Sequence, residues 1–316
     1  MALRTTLVGL GTVGSSIGLA LKHAGAKLEI VGHDKDHQAA RGAHKAGCVD
    51  RTEWNLISAC DGSDLIVIST PLAEVKSTLA AIAQDLKPGC VVTDTVSLKV
   101  PVLSWASDLL PSTVHFVGGH PILSGTFAGS LAPAADLFSG AVYCLTPGAA
   151  APPQAVQRVS DLAEAMGASP YYLDAAEHDG LMAAVEQLPL LIAVGLQAVA
   201  GDSPSYREMT QLSGADFESV TQLLRGDAAE LTELCALNRS SIVRWLDVLL
   251  PKLTTLRDAI AGADNEPLRQ SFARALEVHA GWRRKPAEAG ATDYSDFGMA
   301  RMMLGDTFRP RKPKGD

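Results

Sequence analysis

Apolar and polar positions divide this chain into two unlike halves. Up to residue 173, short β-rich apolar runs alternate with segments of helical spacing. The runs predict strands at Thr5–Val8, Leu28–Val31, Leu65–Ile68, Val91–Thr93, His115–Val117 and Val142–Leu145, with a last short one at Tyr171–Leu173. Apolar residues three and four positions apart predict helices at Val13–Lys22, Leu72–Leu86 and Pro153–Met166. Strands and helices alternating in this way make an α/β, Rossmann-like, doubly wound parallel sheet with helices on both faces. From Ala175 the strand signals stop. Glu177–Val199, Phe217–Leu224, Asp227–Leu256 and Glu266–Trp282 all carry helical spacing, and Pro251 is expected to end or kink the third. An all-α second domain has broad apolar faces and no sheet to cover, so a homodimer through that domain is expected.

The first predicted strand runs into Gly9-Leu10-Gly11-Thr12-Val13-Gly14, and Asp34 follows twenty positions after the last glycine. Each part suits a dinucleotide. Gly9 permits the tight turn, Gly11 lets the backbone approach a pyrophosphate, and Gly14 lets the helix pack on the strand. Thr12 and Val13 open that helix, whose N-terminus faces the phosphates. Asp34 can bond the ribose hydroxyls and repel a 2′-phosphate, which favours NAD; Lys35 leaves some room for NADP. Arg4, the apolar run and Ala24-Gly25-Ala26 also sketch a secretory leader, a weaker reading because the glycines stand where a phosphate turn needs them. The expected organisation is a dinucleotide-binding domain over 1–173, a helical substrate and dimerisation domain over 174–285, and a basic tail over 286–316.

Composition narrows the partners. The chain has 316 residues, 47% hydrophobic and 20% charged, enough for two domains and a substantial core. A net charge of −8 argues against general binding to nucleic acid or to anionic membranes, though not against a small anionic substrate in a locally basic pocket. Five cysteines in no C-x-x-C spacing, an odd count, read as reduced thiols of a cytoplasmic protein. None stands at zinc-ligand spacing from a histidine, so no metal is expected. The longest apolar stretch, Leu188–Ala200, is short for a bilayer and contains Pro189 and Gln197; it reads as a buried helix. Phe308–Lys314, basic and proline-rich, reads as a solvated tail.

Ligands of an open parallel sheet bind beyond the carboxyl ends of its strands, and three polar groups follow strands here. Ser69-Thr70-Pro71 offers a small residue where a cofactor passes, with Pro71 starting a helix. Thr93-Asp94-Thr95-Val96-Ser97-Leu98-Lys99 offers a hydroxyl at Ser97 and a cation at Lys99; it serves equally as a helix start capped by Asp94, Thr95 or Ser97. Gly118-Gly119-His120-Pro121 reads as a turn that sets His120 at the top of the sheet. A hydride leaves a carbinol carbon only as the hydroxyl proton is taken, and a neutral imidazole suits that task. His178, in Glu177-His178-Asp179, reads as an interdomain contact or a helix-start group.

With these residues in view, the chain resembles the prephenate/arogenate (cyclohexadienyl) dehydrogenase family. The likeness runs in order over residues 4 to 285: the glycine turn, Asp34, Ser69-Thr70-Pro71, Thr93-Asp94 with Ser97 and Lys99, Gly118-Gly119-His120-Pro121, Glu177-His178-Asp179, Leu188-Pro189 and Asn238. The resemblance implies a helical dimerisation domain and NAD-dependent oxidative decarboxylation of a cyclohexadienol, as in tyrosine biosynthesis. His120 would then accept the bond from the ring 4-hydroxyl as hydride leaves C4, Ser97 would hold the same hydroxyl and orient His120, and loss of CO2 from C1 would make the ring aromatic. Aromatisation supplies driving force without a metal.

Two departures from the family pattern fall in the second half. Family members usually carry Ser-His-Leu-Pro where this chain has Glu186-Gln187-Leu188-Pro189, and a Thr-Arg pair whose Arg position is Gln211 here. A neutral amide cannot replace a bidentate guanidinium on a carboxylate, a loss of about 2–5 kcal/mol. Glu186 would repel a carboxylate and welcome an amine; Arg207, Lys99 or a partner chain's arginine could compensate. Glu186, Gln187, Arg207, Gln211 and Lys99 are therefore the candidate contacts to a small anionic or zwitterionic cyclohexadienyl substrate. The alternatives are a dehydrogenase of an amino-substituted cyclohexadienol and a non-catalytic NAD-binding paralogue.

Overall fold

The computed structural model describes residues 3–123, 132–224, 226–262 and 265–283, so the expectations for the basic tail lie outside the described residues. Strands β1 (Leu3–Val8), β2 (Leu28–His33), β3 (Arg51–Thr52), β4 (Leu65–Ile68), β5 (Val91–Asp94), β6 (His115–Ile122), β7 (Val142–Pro147) and β8 (Ser169–Tyr172) form one sheet in the order β3-β2-β1-β4-β5-β6-β7-β8. The first six are parallel; β7 pairs antiparallel with β6, and β8 runs parallel to β7. The parallel sheet of the sequence reading is present in the first six strands, whereas the last two run in the opposite direction. Strand order reverses between β1 and β4, which makes the crevice beyond their carboxyl ends the place for a ligand.

Helices cover both faces. Thr12–His23 and Pro153–Ala165 bury Ile17, Leu21, Val159 and Leu162 on one side, while Leu72–Ile82 and Val100–Leu109 bury Val75, Leu79, Ile82 and Val102 on the other. Every residue of β4 is buried, and each large apolar side chain there contributes about 1.5–3 kcal/mol. A strand covered on both faces reads as a continuous apolar run rather than an alternating one.

Two strands differ from expectation. Arg51–Thr52 carries no apolar signal, because it is a two-residue edge strand held by its neighbour. β6 runs through Gly118-Gly119-His120-Pro121, which the sequence reading took as a turn. Pairing with β5 ends at Val117, but pairing with β7 continues to Ile122. Residues 118–122 thus overhang the carboxyl edge of the parallel strands on a single neighbour.

Among the described residues two compact units emerge: one holds the chain up to Asp179 with Gly226–Leu237, the other Gly180–Arg225 with the described chain from Asn238. The second is helical. The first helical segment extends beyond its predicted limits, as Ala175–Met182, a π turn at Ala183–Gln187 and Leu188–Gly201. This run, Ala175–Gly201, is 27 residues long with a mean hydropathy of 1.6 over its most apolar window, longer than the stretch weighed from sequence and apolar enough by composition to cross a membrane. It also holds the buried polar residues His178, Asp179 and Gln187. Leu181, Val185, Ile192, Val194, Leu196 and Val199 are exposed along it. The long segment predicted at Asp227–Leu256 is broken at Asn238 into Ala228–Leu237 and Arg239–Ala261. Pro251 does not end the second of these but sits inside it. Pro251 and Asp247 are both exposed, so water can satisfy the carbonyl that the proline leaves without a donor.

Candidate active site

The glycine turn after β1 is imposed by close backbone approach. Gly9 has φ +92, and a Cβ on it would lie 2.4 Å from the Ser69 carbonyl oxygen; one on Gly14 would lie 1.9 Å from the Gly9 oxygen. Gly11 is different, because nothing lies within 4 Å of where its Cβ would be. That open ground adjoins the start of the helix Thr12–His23, which is capped by Gly11 without a side-chain acceptor and has no acid in its first turn. The first N–H groups, those of Thr12 and Val13 among them, belong to a terminus that favours an anion. Asp34, half-buried at the end of β2, accepts the N–H of Leu10 at 2.7 Å and that of Asp36 at 2.8 Å. A carboxylate has about four acceptor sites, so two bonds still leave capacity for ribose hydroxyls. Asp34 lines a cavity of about 150 Å³ with His37, Arg41, Thr52, Glu53 and Trp54. Lys35 pairs with Glu74 on the surface. Ser69 Oγ accepts from Thr95 Oγ1 at 3.3 Å, Thr70 Oγ1 is shielded from solvent with no partner among the described residues, and Pro71 caps the helix Leu72–Ile82. An open Gly11, an uncapped helix start and an orphan hydroxyl together fit a dinucleotide.

Of the two catalytic candidates, His120 stands on the overhang of β6 and Ser97 on the loop after β5. A Cβ on Gly119 would lie 2.6 Å from the Asp94 carbonyl oxygen, and one on Gly118 would lie 2.3 Å from Thr146 Oγ1, so the glycine pair lets β6 slip between β5 and β7. Asp94, fully buried, accepts the N–H groups of Gly119 and Val96, each at 3.1 Å, and the ammonium of Lys99. Lys99 Nζ also donates to the Gly119 carbonyl at 2.7 Å. Burial pushes the Asp94 carboxyl up and the Lys99 ammonium down, and each opposes that push on the other. Lys99 is fully buried and gives two of its three ammonium donors to these bonds. It clamps the residue before His120 from inside the fold rather than offering a cation to a substrate, which corrects its expected role. Ser97 is half-buried on the same loop, two residues before Lys99.

Among the expected caps of the following helix, Asp94 bonds Val96 and none of the three side chains caps Val100–Leu109. The cap comes from far along the chain. Asp179 accepts the N–H of Lys99 at 2.7 Å and that of Val100 at 2.9 Å. The same carboxylate accepts from His178 Nδ1 at 2.9 Å, and His178 Nε2 lies 3.1 Å from His120 Nδ1. His178, expected as an interdomain contact or a helix-start group, lies in the first turn of the helix Ala175–Met182 and is fully buried, its ring edge-on to that of His120. Burial first, then the charge of Lys99 and the neighbouring His178, hold the His120 imidazole well below its ordinary 6.5. At neutral pH it is a neutral base.

In the helical unit, Glu186 and Gln187 stand on the π turn. Burial pushes the half-buried Glu186 carboxyl up to about 7. Gln187 is buried; its Oε1 accepts from Asn238 Nδ2 at 2.8 Å, while its Nε2 has no partner among the described residues. Arg207 and Gln211 lie exposed on Tyr206–Leu212.

Comparison with known proteins agrees with this layout. Residues 17–172 match the family model described as prephenate dehydrogenase, nucleotide-binding domain, and residues 174–274 match prephenate dehydrogenase, dimerization domain. A prephenate dehydrogenase of Bacillus subtilis is 28% identical over 87% of this chain and 75% of its own length. A cyclohexadienyl dehydrogenase of Zymomonas mobilis is 27% identical over 84% of this chain and 91% of its own. Among solved structures, prephenate dehydrogenase from A. aeolicus in complex with hydroxyphenyl propionate and NAD+ superposes with a TM-score of 0.81 at 21% identity, covering 89% of this chain and 98% of that one. Synechocystis arogenate dehydrogenase gives 0.71 at 23% identity, over 90% and 99%.

Proposed function

Since the chain belongs to the prephenate dehydrogenase family, and is thereby a dehydrogenase, we propose that it performs the NAD-dependent oxidative decarboxylation of a prephenate- or arogenate-type cyclohexadienol, a step of tyrosine biosynthesis. The observation that carries this reading is His120. It is a buried, neutral imidazole on the overhang of β6, beyond the carboxyl edge of a sheet whose first turn fits a dinucleotide. NAD, when bound by the glycine turn and Asp34, supplies the hydride acceptor. His120 takes the proton of the ring 4-hydroxyl as the C4–H bond breaks, and Ser97 holds that hydroxyl. Loss of CO2 from C1 then leaves a phenol. Glu186, Gln187 and Arg207 are the proposed contacts to the rest of the substrate.

The amino-substituted substrate is favoured by one observation. A carboxyl that titrates at about 7 becomes a full anion when an ammonium is set beside it, whereas a second carboxylate holds it protonated. The exposed apolar positions of Ala175–Gly201 and the match to a dimerization domain support a homodimer, and five cysteines in no C-x-x-C spacing support a reducing, cytoplasmic setting. The experiment is reduction of NAD or NADP by purified protein offered prephenate and arogenate separately. Turnover of either supports the reaction and ranks the substrates; nucleotide binding without turnover of either would overturn it.

A further inference from the structure

We propose that Asp179 and His178 act as positioning residues that fix the ring tautomer of His120, so that its Nε2 carries the lone pair used as base. This rests on the reading of His120 as the base, and adds how its proton is placed.

Hydrogen-bond bookkeeping along the row Asp179–His178–His120 gives the assignment. Asp179 meets three N–H groups, from Lys99, Val100 and His178 Nδ1, and a carboxylate only accepts. His178 Nδ1 must therefore carry a hydrogen. In a neutral ring its Nε2 is then an acceptor. The group facing that acceptor at 3.1 Å is His120 Nδ1, which must donate. His120 consequently holds its single proton on Nδ1 and leaves Nε2 bare. A free imidazole ring has no such constraint, so without the row the base nitrogen would be protonated, and useless, in part of the molecules.

Burial strengthens the constraint. His178 is fully buried, Asp179 4% exposed and His120 7% exposed, so water does not compete for these bonds. Asp179 is itself held in place by the two backbone N–H groups that open the helix Val100–Leu109. Lys99 joins the same assembly twice, through its N–H to Asp179 and its Nζ to the Gly119 carbonyl. The loop carrying Ser97 and the strand carrying His120 are thus fastened to one carboxylate and one ammonium.

The test is ¹⁵N–¹H correlation spectroscopy of protein labelled with ¹⁵N-histidine, without substrate, the His120 signals being identified by their loss in His120→Asn. The expected result is a hydrogen on His120 Nδ1 and a bare Nε2. In His178→Leu the acceptor is gone; the proton should move to His120 Nε2 and kcat should fall roughly 10–100-fold, with the Kd for NAD unchanged. His178→Gln offers an amide oxygen in place of the ring nitrogen and should restore the Nδ1–H form and most of kcat. Two results would overturn the proposal: an Nε2–H form of His120 in the unmodified protein, or equal loss in His178→Leu and His178→Gln. The first needs no variant, so misfolding of His178→Leu leaves the proposal exposed to it. The expected tautomer with no turnover of any cyclohexadienol would instead refute the reaction and leave the relay standing.

Discussion

Replacing Lys99 by Met separates a clamp from a substrate contact. Methionine keeps most of the length and apolar stem of lysine and removes only the ammonium. In the structure that ammonium is fully buried, paired with Asp94 and bonded to the Gly119 carbonyl at 2.7 Å. Asp94 would be left with the N–H groups of Gly119 and Val96 and no counter-charge in a fully buried position. Breaking a buried pair from one side costs about 3–5 kcal/mol, because the remaining charge is stranded. That is roughly two to four powers of ten in the unfolding constant, and a fall of roughly 6–20 °C in Tm for a domain of this size. Urea unfolding of Lys99→Met, Asp94→Asn and the double variant measures it. The double variant, with no stranded charge, should regain a large part of the loss, giving a coupling of 1 kcal/mol or more. A Lys99→Met protein of unchanged stability whose substrate KM rises tenfold would refute the clamp and return Lys99 to the substrate.

Four further outcomes follow from the site. His120→Asn should lower kcat by roughly 10²–10⁴ while leaving the Kd for NAD unchanged, and a comparable loss in both would make His120 structural. Because the His120 pKa is held well below 6.5, the base stays deprotonated as pH falls through 6.5, and kcat/KM should be lost only at lower pH; an acid limb at 6.5 or above would contradict its burial. Asp34→Ser should narrow the preference for NAD over NADP in kcat/KM, and unchanged selectivity would mean another residue reads the ribose. Glu186→Gln should remove a pH dependence centred near 7 from the KM of an amine-bearing substrate, since Glu186 gains its charge as pH rises through about 7; an identical KM profile in the variant would exclude it from the pocket.

Local patterns carried most of the fold and part of the site. Leu65–Ile68 was legible because a strand buried on both faces has no polar position to break the run. Gly9 and Gly14 were legible because backbone contacts leave no room for another residue. β3 was not, since Arg51 and Thr52 owe their strand to pairing with β2 rather than to their own side chains. The extension of β6 was hidden for the opposite reason: Gly-Gly and Pro are turn signals, and only antiparallel pairing with β7 keeps them extended. Lys99 looked like a ligand because a lone cation near a site carries no mark of where its ammonium turns. His178 and Asp179 lie 58 and 80 positions from the groups they serve, a separation that no local pattern spans. An acid following a histidine at the start of a helix was the one available signal, and it reads equally well as a cap.

The short helix Ala228–Leu237 has a consequence for how this protein can be taken apart. It belongs with the first unit, where it meets the helix Leu72–Ile82, although nearly fifty residues of the other unit precede it in the chain. Among the described residues the polypeptide therefore passes between the units after Asp179, before Gly226 and after Leu237 rather than once. A fragment cut after Asp179 would bare one side of Leu72–Ile82 and would not be the native nucleotide-binding body. Swapping the helical part between relatives needs matched joints at each of these passages, so a single cut does not separate the two bodies.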